Sequence, residues 1–185
     1  MTKTPPDRIS TKRVFDGRIV KVDLDTVRAP DGSEMQLEMV RHRGASAIVP
    51  LLSEPDATDP SVLLIKQYRY ATNGTIWEIP AGVLDPGEEP IDCARRELLE
   101  EVGAKAESIE HLTSIYTTPG FTDEQIHIFL ATGLTVGETS HELDEFIEVE
   151  ARPISKVLEM IRDGELIDSK TISALLYVAG FRLGL

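Results

Sequence analysis

The chain has 185 residues and a formal net charge of −13, with 41% hydrophobic and 28% charged residues. Such a length and composition predict a single soluble globular domain with a buried core. The sequence has no apolar run long enough to span a bilayer, and its acidic balance argues against a broad nucleic-acid surface. The single cysteine, Cys93, and a polar start without an apolar leader favour a reducing cytoplasm.

The N-terminal region has a strand-like pattern. Residues 1–10 are polar and contain two prolines, and they are expected to form a poorly ordered lead-in to one domain over residues 11–185. Apolar and polar side chains alternate through residues 20–25 and again through residues 35–39, with the turn signal Pro30–Gly32 between them. This pattern predicts a β-hairpin over residues 12–41 whose strands are half-buried.

Beyond the hairpin, short β-rich segments alternate with helical patterns. Strands are expected at Ser46–Leu52, Val62–Tyr70, Trp77–Pro80, Ser114–Tyr116, Gln125–Leu130 and Phe146–Glu150. Helices are expected at Pro90–Val102, Ile154–Arg162 and Thr171–Leu183. This interleaving predicts a mixed sheet with helices on both faces.

The first of these helices has the clearest boundaries. The turn signal Asp85–Gly87 precedes it, Pro90 suits its first turn, and Gly103 is expected to end it as a C-cap. Its apolar stripe, which should face the core, consists of Ile91, Ala94, Leu98 and Val102.

The same helix carries an acidic cluster that a purely structural helix has no reason to keep. Glu97 and Glu101 lie about 40° apart around the helix axis, and Glu100 lies further round on the same side. Like charges at this spacing cost a helix roughly 0.2–0.5 kcal/mol. Divalent cations explain the cluster, because hard cations such as Mg²⁺ prefer carboxylate oxygens as ligands.

The stretch Gly82–Ala104 resembles the signature of the Nudix hydrolases, G-x5-E-x7-R-E-U-x-E-E-x-G-U, in which U is a bulky apolar residue. The fixed positions are filled by Gly82, Glu88, Arg96, Glu97, Leu98, Glu100, Glu101 and Gly103. The one departure is the small Ala104 at the last apolar position. The resemblance implies an α+β fold, a Nudix-type α/β/α sandwich with a mixed β-sheet. It also implies hydrolysis of a nucleoside diphosphate derivative, with Mg²⁺ as the cofactor and Mn²⁺ as a substitute.

The resemblance assigns roles to individual residues. It makes Glu97 and Glu101 the principal metal ligands and catalytic residues. Glu100 would be an auxiliary ligand, and the carbonyl of Ala81 another. Gly82 would let the backbone approach the metal closely.

Glu88 and Arg96 are expected to position the site rather than to react. Arg96 lies about 100° from Glu97 on the helix, so it is expected to point away from the metals. Its guanidinium would pair with Glu88 and with Glu100 one turn on. An acidic solvated helix face with an incidental arginine is the alternative interpretation.

A second marker lies downstream of the signature. Pro119 stands 16 residues after Gly103, in the run TTPGFTDE, which is similar to a loop of the ADP-ribose pyrophosphatase subfamily. This resemblance implies cleavage of ADP-ribose into AMP and ribose 5-phosphate. The alternatives are a hydrolase of other nucleoside diphosphate sugars such as GDP-mannose, a non-catalytic Nudix nucleotide sensor, and an ordinary Pro–Gly turn at Pro119. The acidic charge disfavours an RNA 5′-end as substrate.

Candidate substrate contacts come from arginines, because a guanidinium pairs with phosphate and stacks on purines. The candidates are Arg18, Arg41 and Arg69, together with Glu78 and Pro119. A surface salt bridge is the alternative role for each charged residue.

In the subfamily, a glutamate from a later loop completes the site as a metal ligand or general base. Glu145 aligns best with that position, and Glu142 is the second candidate. A charged, solvated loop is the alternative interpretation of both residues.

Similar enzymes exchange their N-terminal strands across a two-fold axis. A two-stranded ribbon is marginally stable alone and needs a surface to pack on. The expected assembly is therefore a homodimer with swapped N-terminal strands. The expected small-molecule partner of the protein is a nucleoside diphosphate. Neither nucleic acid nor a membrane is expected as a partner.

Overall fold

The N-terminal part of the chain forms a three-stranded antiparallel sheet. The computed structural model describes residues 7–53, 56–137 and 147–185. The strands of this sheet are β1 (Arg8–Asp16), β2 (Lys21–Arg28) and β3 (Glu34–Arg41), in that spatial order. The expected hairpin is therefore only part of the sheet. The expected lead-in is wrong for residues 8–10, because β1 pairs with β2 from Arg8 onward.

This sheet belongs to a first unit of the chain, formed by the residues up to Gly44 and by the segment Tyr116–Gln125. Within that segment, the Asp123 carboxylate accepts hydrogen bonds from the His42 backbone N–H at 2.7 Å and from the Arg41 guanidinium at 3.3 Å. These polar contacts fix the segment to the end of β3.

The buried face of β2 is charged, which reverses the expected polarity of this strand. Asp23 and Asp25 are each 4% exposed, whereas Val22 and Leu24 on the other face of β2 are only partly buried. The two carboxylates receive hydrogen bonds from Arg13 and Arg41. Alternation along a strand separates its two faces but does not tell which face is covered. Here paired charges make the polar face the covered one.

This ionic layer predicts sensitivity to acid. Hydrogen bonds from Arg13 and Arg41 lower the pKa of Asp23 from 3.8 to about 2. A carboxyl whose pKa is lower in the folded state contributes stability above its unfolded pKa, and this contribution is lost as the pH falls through the folded pKa. We expect Asp23→Asn to destabilise the protein at neutral pH and to approach the parent protein between about pH 4 and about pH 2.

Urea unfolding across this pH range measures the difference in the free energy of unfolding between Asp23→Asn and the parent protein. Asp16→Asn is the control, because Asp16 lies in the same sheet with its side chain 63% exposed. The control should differ little from the parent at any pH. A destabilisation by Asp23→Asn that stays constant down to the lowest pH would contradict the ionic-layer interpretation.

The second unit comprises residues 45–115 and 126–185 and contains two sheets. One sheet has β5 (Ser61–Arg69) between β10 (Ile147–Pro153) and β6 (Gly74–Glu78). The other consists, in spatial order, of β7 (Ala81–Val83), β4 (Ala45–Pro50), β9 (Gln125–Val136) and β8 (Ala104–Tyr116). β4 is antiparallel to β7 and parallel to β9, so this sheet is mixed as expected.

The helices of this unit are α1 (Pro90–Val102), α2 (Ile154–Arg162) and α3 (Ser169–Val178), and they cover both faces of the strands. In β4, Ala47 and Val49 belong to a buried cluster that includes residues of α2 and α3. Ile48, between them, belongs to a cluster with Leu98 of α1. Alternate residues of a strand point to opposite faces. The expected α/β/α sandwich of an α+β fold is therefore confirmed.

α1 has the expected boundaries, but its rotation differs slightly. Pro90 occupies the first turn, and Gly103 caps the end with a φ of 67°. Ile91 is 37% exposed, whereas Cys93 is fully buried. The Cys93 thiol donates to the carbonyl of Gly82 at 3.4 Å, so the preceding loop sets which side of the first turn is covered.

The C-terminal region departs from expectation at its boundaries. α3 begins at Ser169 because Asp168 caps it, accepting a hydrogen bond from the Thr171 N–H at 3.0 Å. The remainder of the expected Thr171–Leu183 helix is a π-helical turn, Ala179–Leu183. None of the helices in the described ranges has the length and apolarity needed to cross a bilayer.

Candidate active site

The backbone before α1 lies directly against the acidic face of that helix. A Cβ atom placed on Gly82 would lie 1.6 Å from Glu97 Oε1, so any larger residue here would displace the Glu97 carboxylate. One residue earlier, the Ala81 N–H donates a hydrogen bond to Glu101 Oε2 at 2.9 Å. β7 thus holds two carboxylates of one helical face against its own backbone.

Both of these carboxylates are buried. Glu97 is 8% exposed and Glu101 is 3% exposed. Taking a carboxylate out of water costs several kcal/mol unless charges and hydrogen bonds compensate it. The two charges also repel each other across one helical turn. The arrangement therefore favours a positive group at this place.

Arg96 joins the loop to the helix. Its guanidinium donates to both Glu88 oxygens at 3.0 and 3.1 Å, and this pairing lowers the pKa of Glu88 to about 2. Its Nη1 also donates to Glu97 Oε1 at 2.5 Å and Glu100 Oε2 at 3.2 Å. The expected pairs with Glu88 and Glu100 are present. The guanidinium reaches Glu97 instead of pointing away, because a long arginine side chain spans the 100° between the two positions.

Glu100 lies at the margin of this group, with its side chain 43% exposed. Across the described residues, no three His, Cys, Asp or Glu side chains are arranged to hold a metal ion. Within this part of the chain, the structure therefore brings together Glu97, Glu101 and the Ala81 backbone. The two loop candidates, Glu142 and Glu145, lie outside the described residues.

Two of the expected substrate contacts pair with each other. Arg69 Nε and Nη2 donate to the two carboxylate oxygens of Glu78 at 2.7 and 2.9 Å. Glu78 is only 1% exposed, and Lys170 of α3 donates to the same carboxylate. Burial raises the pKa of Glu78, but Arg69 and Lys170 lower it further, so the net shift is downward and Glu78 is ionised.

This ionic group is coupled to the acidic face of α1. The hydrogen bond to Glu78 raises the pKa of Arg69, and the charge of Glu101 adds to that effect. Lys170 also pairs with Asp168, the N-cap of α3, at 3.0 Å. The sequence does not reveal Lys170 as a site residue, because it lies 92 positions from Glu78 and belongs to no motif.

The other expected substrate contacts lie in the first unit. Arg41 directs its guanidinium to the two buried aspartates of β2 and to Asp123. It therefore has the salt-bridge role in this structure. Arg18 is exposed between β1 and β2, and Pro119 is exposed between β8 and β9.

Cys93 lies next to the signature loop but is chemically quiet. Burial raises the pKa of its thiol to about 11. Its Sγ lies 3.4 Å from the Gly82 carbonyl oxygen and 3.5 Å from Arg96 Nη2. A thiol that is protonated at neutral pH is a poor nucleophile, so covalent catalysis by Cys93 is not supported.

Comparison with known proteins gives the family context of this site. The NUDIX domain model matches residues 41–175. The methanol dehydrogenase activator of Bacillus methanolicus is 39% identical over 92% of this chain and 90% of its own length. The ADP-ribose pyrophosphatase of Bacillus subtilis is 38% identical with the same coverage, 92% and 90%. A GDP-mannose pyrophosphatase of Yersinia enterocolitica is 34% identical over 86% of both chains.

A solved structure supports the same fold. The crystal structure of an ADP compounds hydrolase covers 100% of this chain and 97% of its own, with a TM-score of 0.81 and 21% sequence identity. The acidic helix and its glycine loop thus lie inside a match that extends over most of the chain, and the protein belongs to the Nudix family of hydrolases.

Proposed function

We propose that this protein hydrolyses the pyrophosphate bond of ADP-ribose to give AMP and ribose 5-phosphate, with Mg²⁺ as its cofactor. The observation that carries the proposal is the burial of Glu97 and Glu101 against the backbone of Ala81 and Gly82. The relative named ADP-ribose pyrophosphatase, which is 38% identical, supports this choice of substrate.

The donor set fits a hard divalent cation. Mg²⁺ binds proteins through one or two carboxylates, keeps several waters and shares substrate phosphates. Glu97 and Glu101 would hold it, with the Ala81 carbonyl and Glu100 as further oxygen ligands. The same oxygens suit Mn²⁺. When bound, the cation neutralises the diphosphate and lowers the pKa of a coordinated water.

Neighbouring residues orient these carboxylates and the substrate. Arg96 donates hydrogen bonds from Nε and Nη2 to the two carboxylate oxygens of Glu88, and so holds the loop that precedes α1 against the helix. The Arg69 side chain is 43% exposed, which leaves its guanidinium within reach of a substrate phosphate while Glu78 fixes its direction. These groups bind and position the substrate and do not form a covalent intermediate with it.

The proton of the attacking water needs an acceptor. We assign this role to Glu145, with Glu142 as the alternative, and we also propose Glu145 as a further metal ligand. This assignment rests on the resemblance to the subfamily. Glu145→Gln and Glu142→Gln, compared by kcat at saturating substrate, distinguish the two residues.

A substrate panel tests the proposed activity. Purified protein and Mg²⁺ are incubated with ADP-ribose, ADP-glucose, GDP-mannose, NADH and diadenosine polyphosphates, and the products are identified by chromatography. We expect AMP, formed chiefly from ADP-ribose. A preference for GDP-mannose, the substrate named for the Yersinia relative, would keep the chemistry and change the substrate. Tight nucleotide binding without turnover would indicate a sensor.

The close approach at Gly82 gives a separate prediction. Gly82→Ala places a Cβ atom 1.6 Å from Glu97 Oε1, so the carboxylate has to move. A change in a group that supports a metal ligand typically lowers the metal affinity about 10- to 100-fold. We expect a loss of this size in Mn²⁺ titrations followed by calorimetry. Gly180→Ala is the control, because nothing lies within 4 Å of a Cβ atom there. Equal affinity in both variants would argue against Glu97 as a ligand.

We also propose a cytoplasmic homodimer with exchanged N-terminal strands, acting on a small nucleotide and not on nucleic acid or membranes. Val14, Phe15 and Ile19 of the first unit are 53%, 56% and 71% exposed in the single chain. A partner that covers such apolar surface removes it from water. Arg18 and Pro119 are proposed substrate contacts of this unit. Sedimentation at micromolar concentration should show a dimer, and a monomer would contradict this assembly.

A further inference from the structure

Two buried side-chain atoms have no hydrogen-bond partner among the residues that the structure describes. They are Gln67 Oε1 and Arg152 Nε. Arg152 stacks on Trp77, with the guanidinium carbon 5.3 Å from the ring centroid, and cation–π attraction compensates part of its desolvation. The amide oxygen of Gln67 is removed from water without a hydrogen bond in return, which is unfavourable for folding.

Gln67 lies on the face of β5 that is directed to α1. Side chains two positions apart on a strand share a face, so Gln67 stands between Ile65 and Arg69. Ile65 is 1% exposed and belongs to the same buried cluster as Leu98 of α1. Arg69 interacts electrostatically with Glu101. Gln67 Oε1 is therefore buried in the row of β5 side chains that runs from this cluster to Arg69, the arginine that interacts with Glu101.

The chemistry of this oxygen restricts what can satisfy it. An amide oxygen accepts hydrogen bonds and cannot donate them. The diphosphate oxygens of a substrate and the carboxylates of Glu97 and Glu101 are acceptors as well, so none of them can serve as the partner. The partner must carry an O–H or N–H group into the site. An apolar side chain of similar length would fill the same space without the penalty of an unpaired acceptor.

We propose that Gln67 Oε1 accepts a hydrogen bond from the bound ligand, either from a water carried by the divalent cation or from a hydroxyl of the nucleoside diphosphate. This inference rests on the function proposed for the site of Glu97 and Glu101. In this proposal Gln67 contacts the ligand. Its amide oxygen strengthens ligand binding but lowers the stability of the unliganded fold, whereas a residue with a purely structural role would stabilise that fold.

Gln67→Met tests the proposal in three states of the full-length protein: without ligand, with Mg²⁺ alone, and with Mg²⁺ plus an ADP-ribose analogue that carries a methylene group in the bridge. Without ligand, Tm should rise by about 2–4 °C, because the unpaired acceptor is gone. The Kd measured by calorimetry should rise about tenfold for the ligand that supplies the donor. A weaker affinity for Mg²⁺ alone identifies a cation-bound water, whereas a loss confined to the analogue identifies a substrate hydroxyl.

Gln36→Met is the matched control, because Gln36 is an exposed glutamine on β3, and it should change neither Tm nor Kd. A lower Tm of unliganded Gln67→Met with unchanged Kd values overturns the proposal, as does failure of both Gln67→Met and Gln67→Leu to fold. If the parent protein binds neither Mg²⁺ nor the analogue, the proposed function itself fails and this inference fails with it. A parent that binds both ligands and a variant that binds them equally well overturn the role of Gln67 alone.

Discussion

Replacing Glu101 with glutamine should lower kcat for ADP-ribose about 10³-fold. In the parent protein the Ala81 N–H donates a hydrogen bond to Glu101 Oε2 at 2.9 Å. Glutamine retains an oxygen that can accept this hydrogen bond, so the contact with the backbone is kept. The variant loses the negative charge that, in the proposed mechanism, would hold a divalent cation against the diphosphate. A loss of about 4 kcal/mol in transition-state stabilisation corresponds to this factor. Steady-state kinetics at saturating Mg²⁺ measure it.

Asp92→Asn provides the matched control for this experiment. Asp92 lies on the same helix, its side chain is 57% exposed, and it pairs only at the surface with Arg95. The substitution removes the same charge, so kcat should stay within about twofold of the parent value, because a screened surface charge contributes little. A Glu101→Gln protein with the kcat of the parent would refute the role of Glu101 as a metal ligand.

The second large effect is on folding, and it concerns Glu78. Glu78→Gln should lower the free energy of unfolding by about 3 kcal/mol, because it leaves the charge of Lys170 without its buried partner. The Lys170 side chain is 12% exposed, and among the described residues Asp168 would be its one remaining counter-charge, while we expect Arg69 to turn to water. For a chain of this length the loss corresponds to a fall in Tm of about 6–12 °C. Urea unfolding followed by circular dichroism measures the change.

A double variant separates the orphaned charge from lost packing. Glu78→Gln combined with Lys170→Met should recover part of the stability, because an apolar side chain replaces the uncompensated ammonium group. Glu159→Gln is the control: its pair with Lys156 is 49% exposed on both sides, and the loss should stay below about 1 kcal/mol. A double variant that is less stable than Glu78→Gln would show that the charge of Lys170 is not the cause.

The signature region can be predicted from the sequence because its contacts are local. Arg96 and Glu100 are four residues apart on one helix, so spacing alone indicates their pair. Glu88 and Arg96 are eight residues apart, and their pair is expected because both are fixed positions of the signature. The turn before α1 and the glycine cap after it carry their own conformational signals. These signals predict the boundaries of the helix, whereas its rotation, which exposes Ile91 and buries Cys93, depends on contacts with the preceding loop.

The parts that the sequence leaves open depend on distant partners. Arg41 forms ion pairs with carboxylates 16, 18 and 82 residues away, and this ion cluster is not visible in the sequence pattern. The same cluster explains why β2 buries its aspartates. Alternation alone does not tell whether the aspartates or the apolar side chains of this strand are buried. The three-residue β7 is too short for any periodic pattern.

The sequestered thiol of Cys93 offers a practical use. It is the only cysteine in the chain and is fully buried between α1 and the signature loop. An alkylating reagent can reach it only when that helix and loop separate, so the rate of modification reports the free energy of this local opening. Nucleotide or cation that tightens the site should slow the modification, and the native protein therefore carries its own probe of occupancy.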